Sequence, residues 1–167
     1  MNIKDVLKPK TAEEIKDDIQ KKLSSLTPKE KFYNCIHNGF TSELREVISK
    51  MRPDSLKANI NEGFWDSLRI RKSLEITEIL IDNGANINFK YHPTDNNKNS
   101  DFTLWILIDA DYLELLLKKG MKMDEQLSMY VLFNSVSFRD EDADIYLKLL
   151  LKYGVAKKFT DKIKKYA

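Results

Sequence analysis

The chain has 167 residues, an apolar fraction of 42% and a formal net charge of only +2. That length suits one domain with a continuous core. So even a charge balance gives no support to a protein held to a phosphate backbone.

In chain order, residues 1 to 10 form a loose charged tail. From Thr11 to Leu26 the apolar residues Ile15, Ile19, Leu23 and Leu26 recur at helical spacing with charges between them, which predicts an N-terminal capping helix. Thr27-Pro28-Lys29-Glu30 has the form of a capping box with proline in the first turn. It opens a helix carrying Phe32, Tyr33, Cys35 and Ile36, which Asn38-Gly39 ends. Ser42 is expected to cap a second helix through Leu44, Val47, Ile48 and Met51, and Arg52-Pro53-Asp54 to stop it. The same helix, turn, helix plan then recurs: about Asn61 to Arg71 leads into Leu74 to Asn83, and about Phe102 to Ile108 leads into Asp111 to Lys119. The last pair is about Glu125 to Ser137 and Asp144 to Tyr153. A basic segment, Lys157 to Tyr166, closes the chain as a short terminal helix.

Three second helices end alike, in Glu78-Ile-Leu-Ile-Asp-Asn-Gly84, Glu114-Leu-Leu-Leu-Lys-Lys-Gly120 and Lys148-Leu-Leu-Leu-Lys-Tyr-Gly154. Their glycines suit a left-handed residue just past a helix end. A fixed period of this size marks a solenoid, in which each unit buries a face against its neighbour. The expected fold is therefore all-α: a helical solenoid of stacked helix-turn-helix repeats over residues 27 to 157. A capping helix lies on each side, within 1 to 26 and 158 to 167.

Ile79-Leu-Ile-Asp-Asn-Gly-Ala-Asn-Ile-Asn88, preceded by Leu74-Glu-Ile-Thr-Glu78, resembles the second helix and exit turn of the ankyrin repeat. Gly63-Phe-Trp-Asp-Ser-Leu68 and Phe102-Thr-Leu-Trp-Ile-Leu107 are more distantly similar to the Gly-x-Thr-Pro-Leu-His opening of that repeat. The resemblance implies a non-catalytic surface for binding another protein, met through the turns and the adjoining first helices.

The residues offer little chemistry of other kinds. Cys35 is the sole cysteine, so no intrachain disulfide can form and a reducing compartment fits best. Cys35 and His37 are two apart and point to different helix faces, a poor geometry for a nucleophile pair. No cysteine and histidine grouping has zinc-ligand spacing, and no phosphate-binding glycine loop is present. We expect no enzyme activity, no cofactor, no metal and no small-molecule substrate. Asp140-Glu-Asp-Ala-Asp144 and Asp109-Ala-Asp111 are placed to cap the helices that follow them. No stretch approaches the roughly 18 apolar residues of a membrane span, and the N-terminus has no signal-peptide core. A cytoplasmic location is expected, in the protein's own cell or in a host cell to which it is delivered.

The functional expectation is a protein-binding module that occupies a partner's surface, as an inhibitor, an immunity or counter-defence protein, or an effector adaptor. The one long insertion, Phe89 to Asp101, is the expected contact loop, since insertions in solenoids fall on one face. Lys90, Tyr91, His92, Asp95 and Asn97 are its candidate contacts, with Tyr91 as anchor. Trp65 and Trp105, each beside or near a phenylalanine, are candidate anchors on the neighbouring first helices; one aromatic of each pair should be core, which leaves the other as a candidate exposed anchor. The alternative is a nucleic-acid-binding accessory protein using the lysines from Lys157 to Lys165.

Overall fold

The computed structural model describes residues 10–88, 109–122 and 141–153. The described residues form seven helices: α1 (Ala12–Ser24), α2 (Pro28–Asn38), α3 (Thr41–Lys50), α4 (Pro53–Ile70), α5 (Leu74–Asp82), α6 (Ala110–Lys118) and α7 (Glu141–Tyr153). No strand occurs among them, so the fold is all-α. The regions around Phe102 to Ile108, Glu125 to Ser137 and Lys157 to Tyr166, for which helices were expected, lie outside the described residues.

Local sequence explains most helix boundaries. At α2 the Thr27 hydroxyl accepts from the Glu30 amide at 3.3 Å, and the Glu30 carboxylate accepts from the Thr27 amide at 2.8 Å. Two otherwise orphaned amides are satisfied reciprocally, and Pro28 has no amide to lose. Hydrogen bonds from the Thr27 hydroxyl and then its amide hold the Glu30 carboxyl below its ordinary value. A second capping box, Thr11 with Glu14, opens α1. Asp109 caps α6 by accepting from the Asp111 amide at 3.1 Å, as its position suggested.

Three boundaries differ from expectation. Ser42 does not cap α3; the helix starts at Thr41, directly after the left-handed turn at Gly39, with Phe40 in the cap position and no side-chain cap. Pro53 does not merely stop α3. It occupies the first turn of α4, which therefore begins well before Asn61, because proline is tolerated where no helical amide partner is needed. Asp144, where the last helix was expected to begin, lies inside α7, with Glu141 to Ala143 ahead of it in the same helix; Asp140 lies outside the described residues.

The exits of α5 and α6 are the same motif. Ala85 N–H donates to the Leu80 carbonyl at 3.0 Å, and Met121 N–H to the Leu116 carbonyl at 2.9 Å. Each bond closes around a left-handed glycine, Gly84 at φ 99° and Gly120 at φ 96°. The six-residue closure satisfies carbonyls that the helix end would leave bare. A Cβ on Gly120 would meet nothing within 4 Å, so only its backbone conformation resists substitution. Gly120→Val should therefore lower stability by about 1–2 kcal/mol, the cost of a left-handed β-branched residue, as measured by urea unfolding. A neutral result would mean that the turn can be rebuilt without positive φ.

α2 and α4 end in a left-handed residue too, Gly39 at φ 80° after α2 and Arg71 at φ 53° after α4. Arg71 is the one non-glycine residue with positive φ among those described. Its Nε–H donates to the Leu68 carbonyl at 2.9 Å, which offsets part of the backbone cost.

Packing follows the chain. α2 lies against α3 and α4, α3 and α4 lie against α5, α5 against α6, and α6 against α7. One core runs through the stack, from Phe32, Ile36 and Leu44 through Phe64, Ile76, Ile79 and Leu80 to Leu113 and Leu116, all nearly solvent-free. α2 and α4 approach closely because Gly63 faces α2. A Cβ there would stand 2.6 Å from the Phe32 ring and 2.9 Å from the Ile36 Cδ1. Gly63 thus lies mid-helix as a contact residue.

Candidate interaction face

Of the sequence-predicted contacts, only Trp65 is described, and it is 8% exposed beside Phe64 at 1%. Phe64 is core, as expected of one member of the pair, but Trp65 as an exposed anchor is corrected: both rings pack inward, 6.1 Å apart between centroids. Asp66, next along α4, takes the surface position instead, because the helix turns about 100° per residue and only one side of it faces water. Lys90, Tyr91, His92, Asp95, Asn97 and Trp105 lie outside the described residues.

The structure brings together a different set on α2 and α4. The Tyr33 hydroxyl of α2 donates to the Glu62 carboxylate of α4 at 2.6 Å and lies 3.3 Å from the Asn59 Oδ1. One turn further along both helices, His37 donates its Nε2–H to Asp66 at 3.0 Å. Asp66 also receives Arg69 at 2.9 Å. Both α2–α4 bonds join residues 29 apart, so the helices run side by side in the same direction. Tyr33 and His37, like Glu62 and Asp66, are four apart and share one helix face. Burial, and then the bond to Glu62, push the Tyr33 phenol above its ordinary value.

Beside Tyr33 lies an open groove of about 550 Å³, lined by Leu26, Thr27, Lys29, Glu30, Tyr33, Asn34 and His37. It offers an amphipathic ring held by two acceptors, apolar surface at Leu26 and charge of both signs on its rim. Such a surface can grip a polypeptide side chain. Sequence reasoning had placed Tyr33 on a helix without assigning it this position; the four-residue spacing shared with Glu62 and Asp66 was the available signal.

Charge pairs also link α3 to α5, the exit of α6 to α5, and α7 to α6. Arg45 meets Glu75 at 3.2 Å, Lys119 meets Glu78 at 2.9 Å and Asp82 at 2.7 Å, and Lys152 meets Glu114 at 2.8 Å. These exposed pairs contribute little individually and serve alignment more than stability. The turns are stitched as well: Asn86 N–H donates to the Asn61 side chain at 2.8 Å, and Lys122 N–H to the Asn88 side chain at 3.2 Å.

Cys35 and His37 do not form a pair. Cys35 is wholly buried, whereas His37 faces outward to Asp66. Burial, with smaller contributions from Glu43 and Glu46, pushes the Cys35 thiol up to about 12. The folded state holds the neutral thiol, so its contribution is intact below the ordinary value of 9.0 and declines as pH rises from there toward about 12. Native protein at pH 8 should resist iodoacetamide, while denatured protein alkylates readily. Equal rates in the two states, followed by mass spectrometry, would contradict that burial.

Among the described residues no group of three or more histidine, cysteine, aspartate or glutamate side chains could hold a metal ion. No described helix is long and apolar enough to cross a membrane. No protein-family model matches the chain, and comparisons with curated proteins and with solved structures likewise give no match.

Proposed function

We propose that the chain is a non-catalytic protein-binding module. It is a solenoid of ankyrin-like helix pairs between capping helices, and it acts by occupying the surface of a partner protein. An inhibitor, an immunity or counter-defence protein and an effector adaptor all work in this way. The observation that carries the reading is the repetition of one geometry: α5 and α6 leave through the same glycine closure, 36 residues apart between Gly84 and Gly120. The parallel register of α2 and α4 supports it from the other helix row. Stacked units of this kind present a continuous ribbon of first helices and turns, suited to an extended contact. On that ribbon Tyr33 is the described anchor, since a fixed, half-buried tyrosine supplies large contact area at low entropic cost. The segment from Phe89 to Asp101, with Tyr91, is the second contact in the same reading, on the sequence alone.

The test begins with affinity capture from the native source and identification by mass spectrometry. Binding to the captured protein is then measured for Tyr33→Ala and for a chain whose residues 89–101 are replaced by a short Gly-Ser connection. Each should weaken affinity at least about tenfold while melting stays cooperative, as truncating a central contact does. Unchanged affinity in both would place the contact elsewhere. Salt-sensitive retention of nucleic acid that depends on Lys157 to Lys165 would replace this reading with the accessory one.

A further inference from the structure

Two of the left-handed helix exits carry asparagine before the glycine, Asn38-Gly39 after α2 and Asn83-Gly84 after α5. The matching exit of α6 has Lys119 in that place. Asparagine before glycine is a reactive pair, because no Cβ on the glycine shields its nitrogen from the neighbouring side-chain amide. At Asn83 the fold supplies the protection. Its side-chain amide is drawn back along α5 and donates to the Ile79 carbonyl at 2.8 Å, away from the Gly84 nitrogen. The Gly84 N–H is itself engaged by the Ile81 carbonyl at 3.0 Å, and the Asn83 backbone is near-helical at ψ 14°. Among the described residues nothing else screens the step. Both residues are exposed, and a Cβ on Gly84 would meet nothing within 4 Å. Gly39, by contrast, is half-buried, with the Lys72 Cβ 3.4 Å from where its own would stand.

We propose that Asn83 is a modification site gated by the α5 exit turn: it deamidates when that turn opens, and either product weakens the turn that protected it. Opening frees the Gly84 N–H from Ile81 and the Asn83 amide from Ile79. The Gly84 nitrogen, on losing its proton to base, attacks the Asn83 Cγ. The Cγ–Nδ2 bond breaks, the side-chain nitrogen leaves as ammonia and a succinimide ring remains. Water then opens the ring at one carbonyl or the other, leaving aspartate or isoaspartate. Aspartate has no N–H for the Ile79 carbonyl, and it adds negative charge at a helix C-terminus, where the dipole disfavours it. Lys119, the nearby cation, already serves Glu78 and Asp82. Isoaspartate adds a main-chain carbon inside the closure between the Leu80 carbonyl and the Ala85 N–H. The damage passes directly to α4, because Asn86, just beyond, donates to the Asn61 side chain at 2.8 Å.

The experiment holds the full chain in mildly alkaline buffer, one sample folded and one in concentrated urea, and follows each asparagine by peptide mass spectrometry. Conversion of amide to acid raises the peptide mass, and isoaspartate separates from aspartate by retention. In urea both Asn38 and Asn83 should convert. In the folded chain Asn83 should convert at least about tenfold more slowly, since only the open fraction reacts. Asn61→Ala removes the stitch to the exit without touching the reacting pair. It should speed conversion of Asn83 several-fold in the folded chain and leave Asn38 unchanged, with melting still cooperative. Asn83→Asp, standing for the aspartate product, should melt at a lower temperature than the wild-type chain. Equal rates for Asn83 in the folded and urea samples overturn the proposal, as does an Asn83 that stays intact in urea. So does an Asn61→Ala chain in which Asn83 is not accelerated or Asn38 is accelerated equally, and so does an Asn83→Asp chain that melts as the wild type does. None of these readouts involves a binding partner, so they stand or fall apart from the binding reading above.

Discussion

Gly63→Ala should destabilise the protein by about 1–2 kcal/mol, although alanine is the better helix former by up to about 1 kcal/mol. The added methyl would lie 2.6 Å from the Phe32 ring and 2.9 Å from Ile36, both fully enclosed. Overpacking of that kind costs about 1–3 kcal/mol and exceeds the propensity gain. Gly63→Val should cost more, since it adds two further carbons and a stiff side chain. The check is urea unfolding, with Phe32→Leu as the second arm of a double-mutant cycle. Shrinking the ring should make the two changes less than additive by roughly 1 kcal/mol. If Gly63→Ala stabilises the fold instead, α2 and α4 are not in close contact and the register drawn from Tyr33 and His37 loses its basis.

The second large effect belongs to Leu116. It is fully buried, and so is Leu80, which precedes Gly84 by the same interval as Leu116 precedes Gly120. Leu116→Ala should cost about 2–5 kcal/mol, the lost transfer energy plus the cavity left beneath α6. Leu151, 60% exposed on α7, is the control and should change stability by no more than about 0.5 kcal/mol as alanine. Equal losses at the two positions would contradict the burial pattern.

The sequence was most informative where a local motif and its structural consequence are the same object. Thr27-Pro28-Lys29-Glu30 names its own hydrogen bonds, and the glycines at 84 and 120 sit where a helix exit needs positive φ. It was least informative where one residue type serves two purposes. Pro53 breaks a helix that precedes it and opens one that follows, and local sequence does not say which role extends further. Trp65 illustrates the limit for the site. Adjacent aromatics on a helix suggest one inward and one outward ring, but the α4 core is wide enough to take both. The Tyr33–Glu62 contact depends on the register of two helices separated by a third, which no local pattern records. Arg71 was unforeseen for a similar reason: the turn demands a left-handed residue, but its occupant is not glycine.

The close spacing of these contacts along the chain has a kinetic side. The polar contacts between helices described above join residues 26 to 41 apart, and the major helix contacts connect helices near one another in the chain. Closing loops of that length costs little more than closing shorter ones, since each doubling adds only about 0.6 kcal/mol. Folding can thus start within any adjacent set of helices and spread outward without waiting for the termini to meet, the regime in which helical chains fold within microseconds to milliseconds. Opening obeys the same geometry in reverse. α1, anchored mainly through Leu23, can detach and return while α4, pressed between α2 and α5, stays closed. Amide protons should therefore exchange in a gradient along the stack, earliest on α1 and last on α4.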